Sequence, residues 1–179
     1  FYGETLAGII TFGNGANNNT FTALIPKIEL KNCLELTRLW SPDGMPKNTE
    51  SKLISQTINL LPEEIYLIVS FADPSQNHFG TIYQATNFYY CGMSSPNNMI
   101  IDKQGNLFHV RTIGTYKRRH PELNNKTHLE IMSLYGWKYV KASGKHRYVY
   151  LRGSDWIKDL MFNVLKDKIL EYPKKEKDL

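Results

Sequence analysis

Cysteine is scarce in this chain: Cys33 and Cys91 are the only two among 179 residues. They form no CxxC pair and no zinc-type spacing, so a disulfide framework and a sequence-encoded zinc site are both excluded. The expectation is two reduced, buried thiols. Long apolar runs are missing as well. None approaches the length of a bilayer-spanning helix, and no signal peptide is visible. The five histidines, His78, His109, His120, His128 and His146, lack metal-ligand spacing. There is no GxxxxGK[ST] and no GxGxxG, which argues against P-loop and dinucleotide-binding readings. Internal repeats and a domain linker are also lacking.

Acidic residues are nearly absent from one long segment. Between residues 111 and 152, ten Lys/Arg accompany two acids, Glu122 and Glu130, an excess of +8 where the whole chain carries +5. Such a local excess suggests a polyanion partner. A solvated basic face is the plain alternative. Aromatic residues are interleaved with the cations, in Tyr116-Lys117-Arg118-Arg119-His120, Tyr135-Gly136-Trp137-Lys138-Tyr139 and Lys145-His146-Arg147-Tyr148. Cations neutralise phosphates, and aromatic faces stack on exposed bases. An enzyme acting on a base within a duplex must first extrude it.

The coarse order of elements is β-β-β-α-β-α-β-β with a final helix. Residues 1–13 read as a hairpin turning at Gly3-Glu4, and a chain that opens on Phe1 inside a hairpin is expected to be a fragment. Residues 33–40 alternate as a strand. Residues 48–61 form a helix, with Asn48 or Thr49 as N-cap and Leu53, Ile54, Ile58 and Leu61 as its apolar stripe. Residues 64–72 are the most apolar strand, expected at a central, doubly covered position. A second helix is expected over 77–88, strands over 98–102, 106–112 and 146–152, and an amphipathic helix over 155–170 with Trp156, Leu160, Met161, Val164 and Leu165 inward. Residues 128–139 fit either type. The middle β-α-β-α order predicts adjacent parallel strands, with antiparallel strands outside them.

Two junctions carry side chains capable of chemistry. At residues 70–88, SFADPSQNHFGTIYQATNF, a buried strand stops at Asp73, and Tyr83 follows on the next helix. Open α/β sheets bind ligands at such strand ends. Tyr83 could donate a proton to a leaving group, and Asp73 could serve as a base or orient a partner. A core tyrosine and an ordinary Asp-Pro turn are the alternatives. At residues 38–51, RLWSPDGMPKNTES, a loop enters a helix bearing Asn48, Thr49 and Ser51, whose free N–H groups attract phosphate.

Residues 83–88, YQATNF, resemble the Y-x-x-x-G-F pattern of GNAT acyltransferases, with Asn87 in place of glycine. The usual Q/R-x-x-G-x-G/A phosphate loop is replaced by SPDGMPKNTES. A longer set of runs resembles the phage Mom family of DNA-modification proteins: ELTRLW at 35–40, NTES at 48–51, the whole of 70–88, and KHRY at 145–148. The resemblance implies a mixed α/β (α+β) GNAT-like sheet flanked by helices, forming one catalytic domain over 1–172 before a charged tail at 173–179. It also implies an N-terminal strand and helices that this chain lacks. The implied activity is conversion of DNA adenine to an N6-methylcarbamoyl derivative, which protects phage DNA from restriction in the cytoplasm of the bacterial host.

Carried over by position, the resemblance points to Arg38, Ser51, Asp73 and Tyr83 as catalytic. Trp40, Asn48, Thr49 and Ser51 would hold the donor, and Lys117, Arg118, Arg119, Lys145 and Arg147 would contact double-stranded DNA. Acetyl-CoA or a related acyl donor is implied. Because the family's product is joined through a carbon rather than an acetyl carbonyl, another donor or a metal ion also enters the expectation, with no metal ligands assigned. The other readings are a GNAT-like N-acyltransferase acting on a small-molecule or protein amine, and a non-catalytic DNA-binding module.

Overall fold

The most apolar strand lies at the centre of a five-stranded sheet, where both of its faces are covered. In the computed structural model residues 3–15 and 17–174 are described. They fall into two compact units, one of Phe1–Ser94 with Lys145–Leu179 and one of Ser95–Gly144. The first unit runs β1 (Ile9–Gly13), α1 (Asn19–Thr22), β2 (Cys33–Trp40), α2 (Thr49–Leu60), β3 (Leu67–Ala72), α3 (Thr81–Gln84) and β4 (Tyr89–Met93). The second holds β5 (Asn98–Ile101), β6 (Leu107–His109), α4 (Thr112–Arg119), α5 (His128–Tyr135) and β7 (Lys138–Lys141). The chain then returns to the first unit as β8 (His146–Leu151) and α6 (Asp155–Leu165). The architecture is mixed α/β, as the sequence predicts.

In the first unit the strand order is β1-β2-β3-β8-β4. β2 and β3 are parallel, with Leu36 opposite Ser70. The other neighbours are antiparallel. The predicted crossover through α2 therefore forms as expected. Leu67, Ile68 and Val69 are fully buried because helices cover both faces. One face packs Leu67, Val69 and Val149 against Phe21, Leu24, Met161 and Leu165. The other packs Ile68 and Leu36 against Ile54 and Ile58 of α2 and an aromatic group of Tyr83, Phe88, Tyr90 and Tyr148. Burying each of these isoleucines contributes about 2 kcal/mol. Both cysteines lie in this core, and burial pushes each thiol up to about 11.

Several local expectations are corrected. The helix predicted over 77–88 is one turn, α3, followed by β4, which the sequence reading did not place. Gly80 at φ 71° and Asn87 at φ 62° bracket the turn, and these left-handed residues interrupt any longer helix. Asn48 occupies the N-cap position of α2 but is left-handed, at φ 69°, and its side chain caps nothing. Residues 110–112 leave the expected strand and lead into α4, whose inner face is marked only by Ile113 and Tyr116. Such a short stripe is too weak to read as a period.

The final helix is amphipathic as predicted, and part of the predicted stripe, Met161 and Leu165, faces the sheet. Ile157, Met161 and Leu165 pack into the core, whereas Trp156, Leu160 and Val164 are 72%, 54% and 42% exposed. Two apolar stripes lie side by side on α6, and only one meets β8. The hairpin arm expected at Phe1-Tyr2 and the tail beyond Lys174 lie outside the described residues.

The second unit has its own small core. A three-stranded antiparallel sheet, β6-β5-β7, packs Ile100 against Ile113, Leu123, Ile131, Met132 and Trp137. Residues 128–139, ambiguous in sequence, divide into α5 and the start of β7. Thr127 and Glu130 form a capping box at the start of α5, and Gly136 in the left-handed region ends it.

Among the described residues, no helix is long and apolar enough to cross a membrane.

Candidate functional site

β2 and β3 run parallel, so their carboxyl ends emerge on the same edge of the sheet. Beyond the last paired residues, Leu36 and Ser70, the strands diverge. An open cleft of about 500 Å³ fills the gap. β2 contributes Arg38, β3 leads into Asp73, α2 contributes Glu50, and residues 77–83 close the far wall with Phe79 and Tyr83. Three of the four predicted catalytic residues thus line one cavity. Divergence of parallel strands is the physical reason, since it leaves a crevice that the following loops must wall.

Asp73 leaves β3 and begins a short 3-10 turn, Pro74–Gln76. Its Oδ1 accepts hydrogen bonds from the Ser75 N–H at 3.0 Å and the Ser75 hydroxyl at 2.7 Å. Its Oδ2 lies 3.2 Å from Lys145 Nζ. Partial desolvation acts to raise the carboxyl's pKa. The Ser75 hydroxyl, Lys145 and the Ser75 N–H together outweigh it and hold the group below the ordinary carboxylate value. Asp73 is therefore a firmly ionised acceptor and a weak base. That suits it to orienting an amine rather than removing a proton from one.

Tyr83 is the chemical opposite. Only 8% of it is exposed. Its ring packs 5.3 Å from Phe88 and 5.2 Å from Tyr148. Burial pushes the phenol above its ordinary value. A hydrogen bond with the Ser70 hydroxyl pulls the other way, and the charges of Glu50 and Glu35 add to the effect of burial. Tyr83 therefore keeps its proton at neutral pH. Ser70 is fully buried and donates its hydroxyl proton to the Leu36 carbonyl at 3.0 Å.

The wall beneath Tyr83 is held by contacts invisible in the sequence. Tyr148 of β8 donates its hydroxyl to the Phe79 carbonyl, and Gln84 Nε2 donates to the same hydroxyl at 3.2 Å. A Cβ on Gly80 would overlap the Tyr148 ring, so only glycine lets the chain pass there. His146 accepts or donates at Nδ1 with the Tyr90 hydroxyl, 3.0 Å away. Its ring lies 5.8 Å from Phe79. Burial lowers its pKa below the ordinary histidine value.

Ser51 lies in a neighbouring cavity of about 460 Å³, together with Lys47, Asn48 and Thr49. The two cavities share Glu50, Thr81 and Ile82. The hydroxyls of Thr49 and Ser51 donate backwards, to the carbonyls of Pro46 at 2.7 Å and Asn48 at 3.0 Å. Trp40, predicted as donor-binding, is 53% exposed and is not among the residues lining either cavity.

The predicted DNA contacts divide between the units. Lys117, Arg118 and Arg119 form the last turn of α4 in the second unit. Lys145 and Arg147 belong to the first and have internal partners there, Asp73 for Lys145 and the Cys91 carbonyl for Arg147, at 2.8 Å. Sequence reasoning missed the Lys145–Asp73 pair, Ser70, Gly80 and Tyr148. No short-range signal marks them, because each acts through the ladder between β3 and β8 or across it. Among the described residues, no group of three or more His, Cys, Asp or Glu side chains is placed to hold a metal ion.

Known proteins share this sequence pattern. The methylcarbamoylase mom of Escherichia phage Mu is 32% identical over 121 residues, which cover 66% of this chain and 49% of that protein. The chain therefore spans about half the length of the curated relative it matches. The model of the Mom protein family matches residues 1–174, nearly the whole chain, and the chain belongs to the Mom family.

Proposed function

We propose that this chain carries the catalytic cleft of a DNA adenine-modifying transferase on a GNAT-like sheet, which places a methylcarbamoyl group on the exocyclic amine of adenine. The relative's name, a methylcarbamoylase, supports the reaction class. The observation that carries the reading is the convergence of Arg38, Asp73 and Tyr83 on one cleft at the ends of two parallel strands. A cavity of about 500 Å³ lies within the range of small-molecule sites and has room for an extruded base.

The residues divide the work by charge. Asp73, ionised and fixed by Ser75 and Lys145, accepts a hydrogen bond from the adenine amine and aligns it. Tyr83 holds a proton at its hydroxyl and supplies it to the leaving group, and the proton released from the adenine amine restores the phenol. Phe79, on the cleft wall, offers an aromatic face for the base. Arg38 makes no ion pair among the described residues and attracts the negative charge of the donor.

The residues around α2 fit an acyl-CoA type of donor. The first turn of a twelve-residue helix, Lys47 beside it and Arg38 nearby supply N–H groups and positive charge for phosphates. The donor, when bound, would supply a carbon that bears a leaving group, and the adenine nitrogen bonds to that carbon as the bond to the leaving group breaks.

Nucleoside mass spectrometry tests this reading. DNA from bacteria expressing the protein should contain methylcarbamoyl-adenine, and DNA from cells expressing Asp73→Ala should not. Unmodified adenine in both would remove the proposal.

A further inference from the structure

The charge of this protein is segregated by unit. Ser95–Gly144 contains eight Lys/Arg and three Asp/Glu, a net charge of +5. The rest of the chain contains fourteen of each and is neutral. The entire net charge of the protein thus resides in a segment that the chain enters after Ser94 and leaves before Lys145. The first unit continues across that gap. The Ser94 N–H donates to the Lys145 carbonyl at 2.8 Å, and the Lys145 N–H donates to the Ser94 hydroxyl at 2.9 Å.

The three carboxylates of the second unit are all engaged locally. Asp102 accepts from the N–H groups of Gln104 at 2.9 Å and Asn106 at 2.8 Å, closing the β5–β6 turn. Glu130 accepts from the Thr127 N–H at 2.6 Å and the Thr127 hydroxyl at 2.8 Å as half of a capping box. Glu122 lies 3.1 Å from His120 Nδ1. None of the eight Lys/Arg in this unit is within 4.0 Å of a carboxylate among the described residues. Lys117 and Arg118 reach only neutral oxygens, the Asn124 carbonyl at 3.4 Å and the Thr115 hydroxyl at 3.2 Å. Seven of the eight are exposed, and Lys117 is half-buried.

Six cations of the first unit are used differently. Lys31, Lys145 and Lys158 pair with Glu29, Asp73 and Asp155. Arg147 donates to the Cys91 carbonyl. Arg152 donates to the carbonyls of Leu61 at 2.7 Å and Ile65 at 3.3 Å, and to that of Pro62. Lys168 donates to the carbonyls of Ala23 at 2.8 Å and Leu24 at 2.7 Å. These groups have protein partners to give up before they could meet a phosphate.

We infer that Ser95–Gly144 is the DNA-holding module of this protein, that it grips the phosphate backbone through the uncompensated cations centred on Lys117, Arg118 and Arg119, and that the KHR run at 145–147 serves the fold instead. The inference rests on DNA being the substrate. It reassigns the electrostatic work that the sequence spreads over residues 111–152. Uncompensated cations release condensed counterions from DNA without first breaking an internal ion pair, so they dominate salt-dependent affinity.

The test is the salt dependence of binding, read by fluorescence anisotropy of the intact protein on an unmodified adenine-containing duplex. Each phosphate that is no longer neutralised flattens the slope of log K against log salt by about 0.9. Lys117→Ala/Arg118→Ala/Arg119→Ala should therefore flatten it by about 2 to 3. The charge-conserving Lys117→Arg/Arg118→Lys/Arg119→Lys should keep the parental slope, which separates removal of charge from misfolding. Lys31→Ala/Lys158→Ala should keep it too. An unchanged slope in the alanine triple variant overturns the inference, as does equal flattening by Lys31→Ala/Lys158→Ala or tighter binding to duplex RNA than to duplex DNA. Because the assay needs no turnover, unmodified adenine in cellular DNA with the predicted slopes intact would remove the catalytic reading and leave this one standing.

Discussion

Lys145 Nζ stands 3.2 Å from Asp73 Oδ2 because the ladder between β3 and β8 sets Ala72 opposite His146. Asp73 is the first residue past the end of β3, and Lys145 is the last before β8. Antiparallel register alone makes them neighbours. The pair ties the cleft carboxylate to the strand that supports the cleft wall.

Breaking that pair should have a pH signature. The folded carboxyl titrates below its ordinary value of 3.8. Its contribution to stability is thus complete above that value and is lost as pH falls through the lower, folded one. Asp73→Asn should cost roughly 0.5–1 kcal/mol at pH 7, the scale of a half-exposed pair. The difference from wild type should shrink progressively below about pH 4. Urea denaturation at pH 7 and at pH 3 checks this, and a difference that persists undiminished at pH 3 would contradict it.

Tyr83→Phe separates chemistry from packing. Removing the hydroxyl leaves the ring contacts with Phe88 and Tyr148 and costs about 1 kcal/mol of stability at most. If the phenol protonates the leaving group, modification of adenine should fall at least about 100-fold. Comparing the modified-adenine fraction with the thermal midpoint of the same variant distinguishes the two. Near-normal modification would assign Tyr83 to the core.

Gly80 should tolerate no side chain. Its φ of 71° disfavours any L-residue, and a Cβ would enter the Tyr148 ring, which is fully buried. Gly80→Ala should destabilise by more than about 2 kcal/mol, from backbone strain and overpacking together. Combined with Tyr148→Ala, the two costs should add to less than their sum, because the cavity receives the methyl group. Additive costs in a double-mutant cycle would show that the two positions do not meet.

His146 should make stability pH-dependent in a second window. Burial lowers its pKa below the ordinary 6.5, so the unfolded chain binds the proton more readily than the folded one. Stability is full above about pH 6.5 and declines as pH falls from there toward the folded value. His146→Phe should remove that slope while Asp73→Asn leaves it in place. Denaturation midpoints between pH 7.5 and pH 5 provide the measurement, and identical slopes in wild type and His146→Phe would overturn it.

The local pattern was enough for much of the frame. The alternation of residues 33–40 and 146–152, the stripe of α2 and the unbroken apolar run of β3 specify their own elements, because side-chain periodicity is a property of neighbours in the chain. The β-α-β order fixed the parallel pair, and a parallel pair obliges a crevice at its carboxyl end. Asp73 and Tyr83 were legible as candidates for that reason, and the long 70–88 run carried the family.

Contacts across the sheet could not be read this way. Whether Asp73 is a base or a fixed, ionised acceptor depends on Lys145, which reaches it only through strand register. Whether Tyr83 sits in water or in an aromatic core depends on Tyr148 and Phe88 closing around it. Trp156, Leu160 and Val164 form as good an apolar stripe as Ile157, Met161 and Leu165, and only the sheet chooses between them. A count of charges found the basic half of the chain, but its meaning lay in which cations already had partners. Hydrogen bonds and ion pairs between distant residues are set when the strands pair. They hold Lys145, Arg147 and Arg152 to the fold, and they leave Lys117, Arg118 and Arg119 without a carboxylate among the described residues.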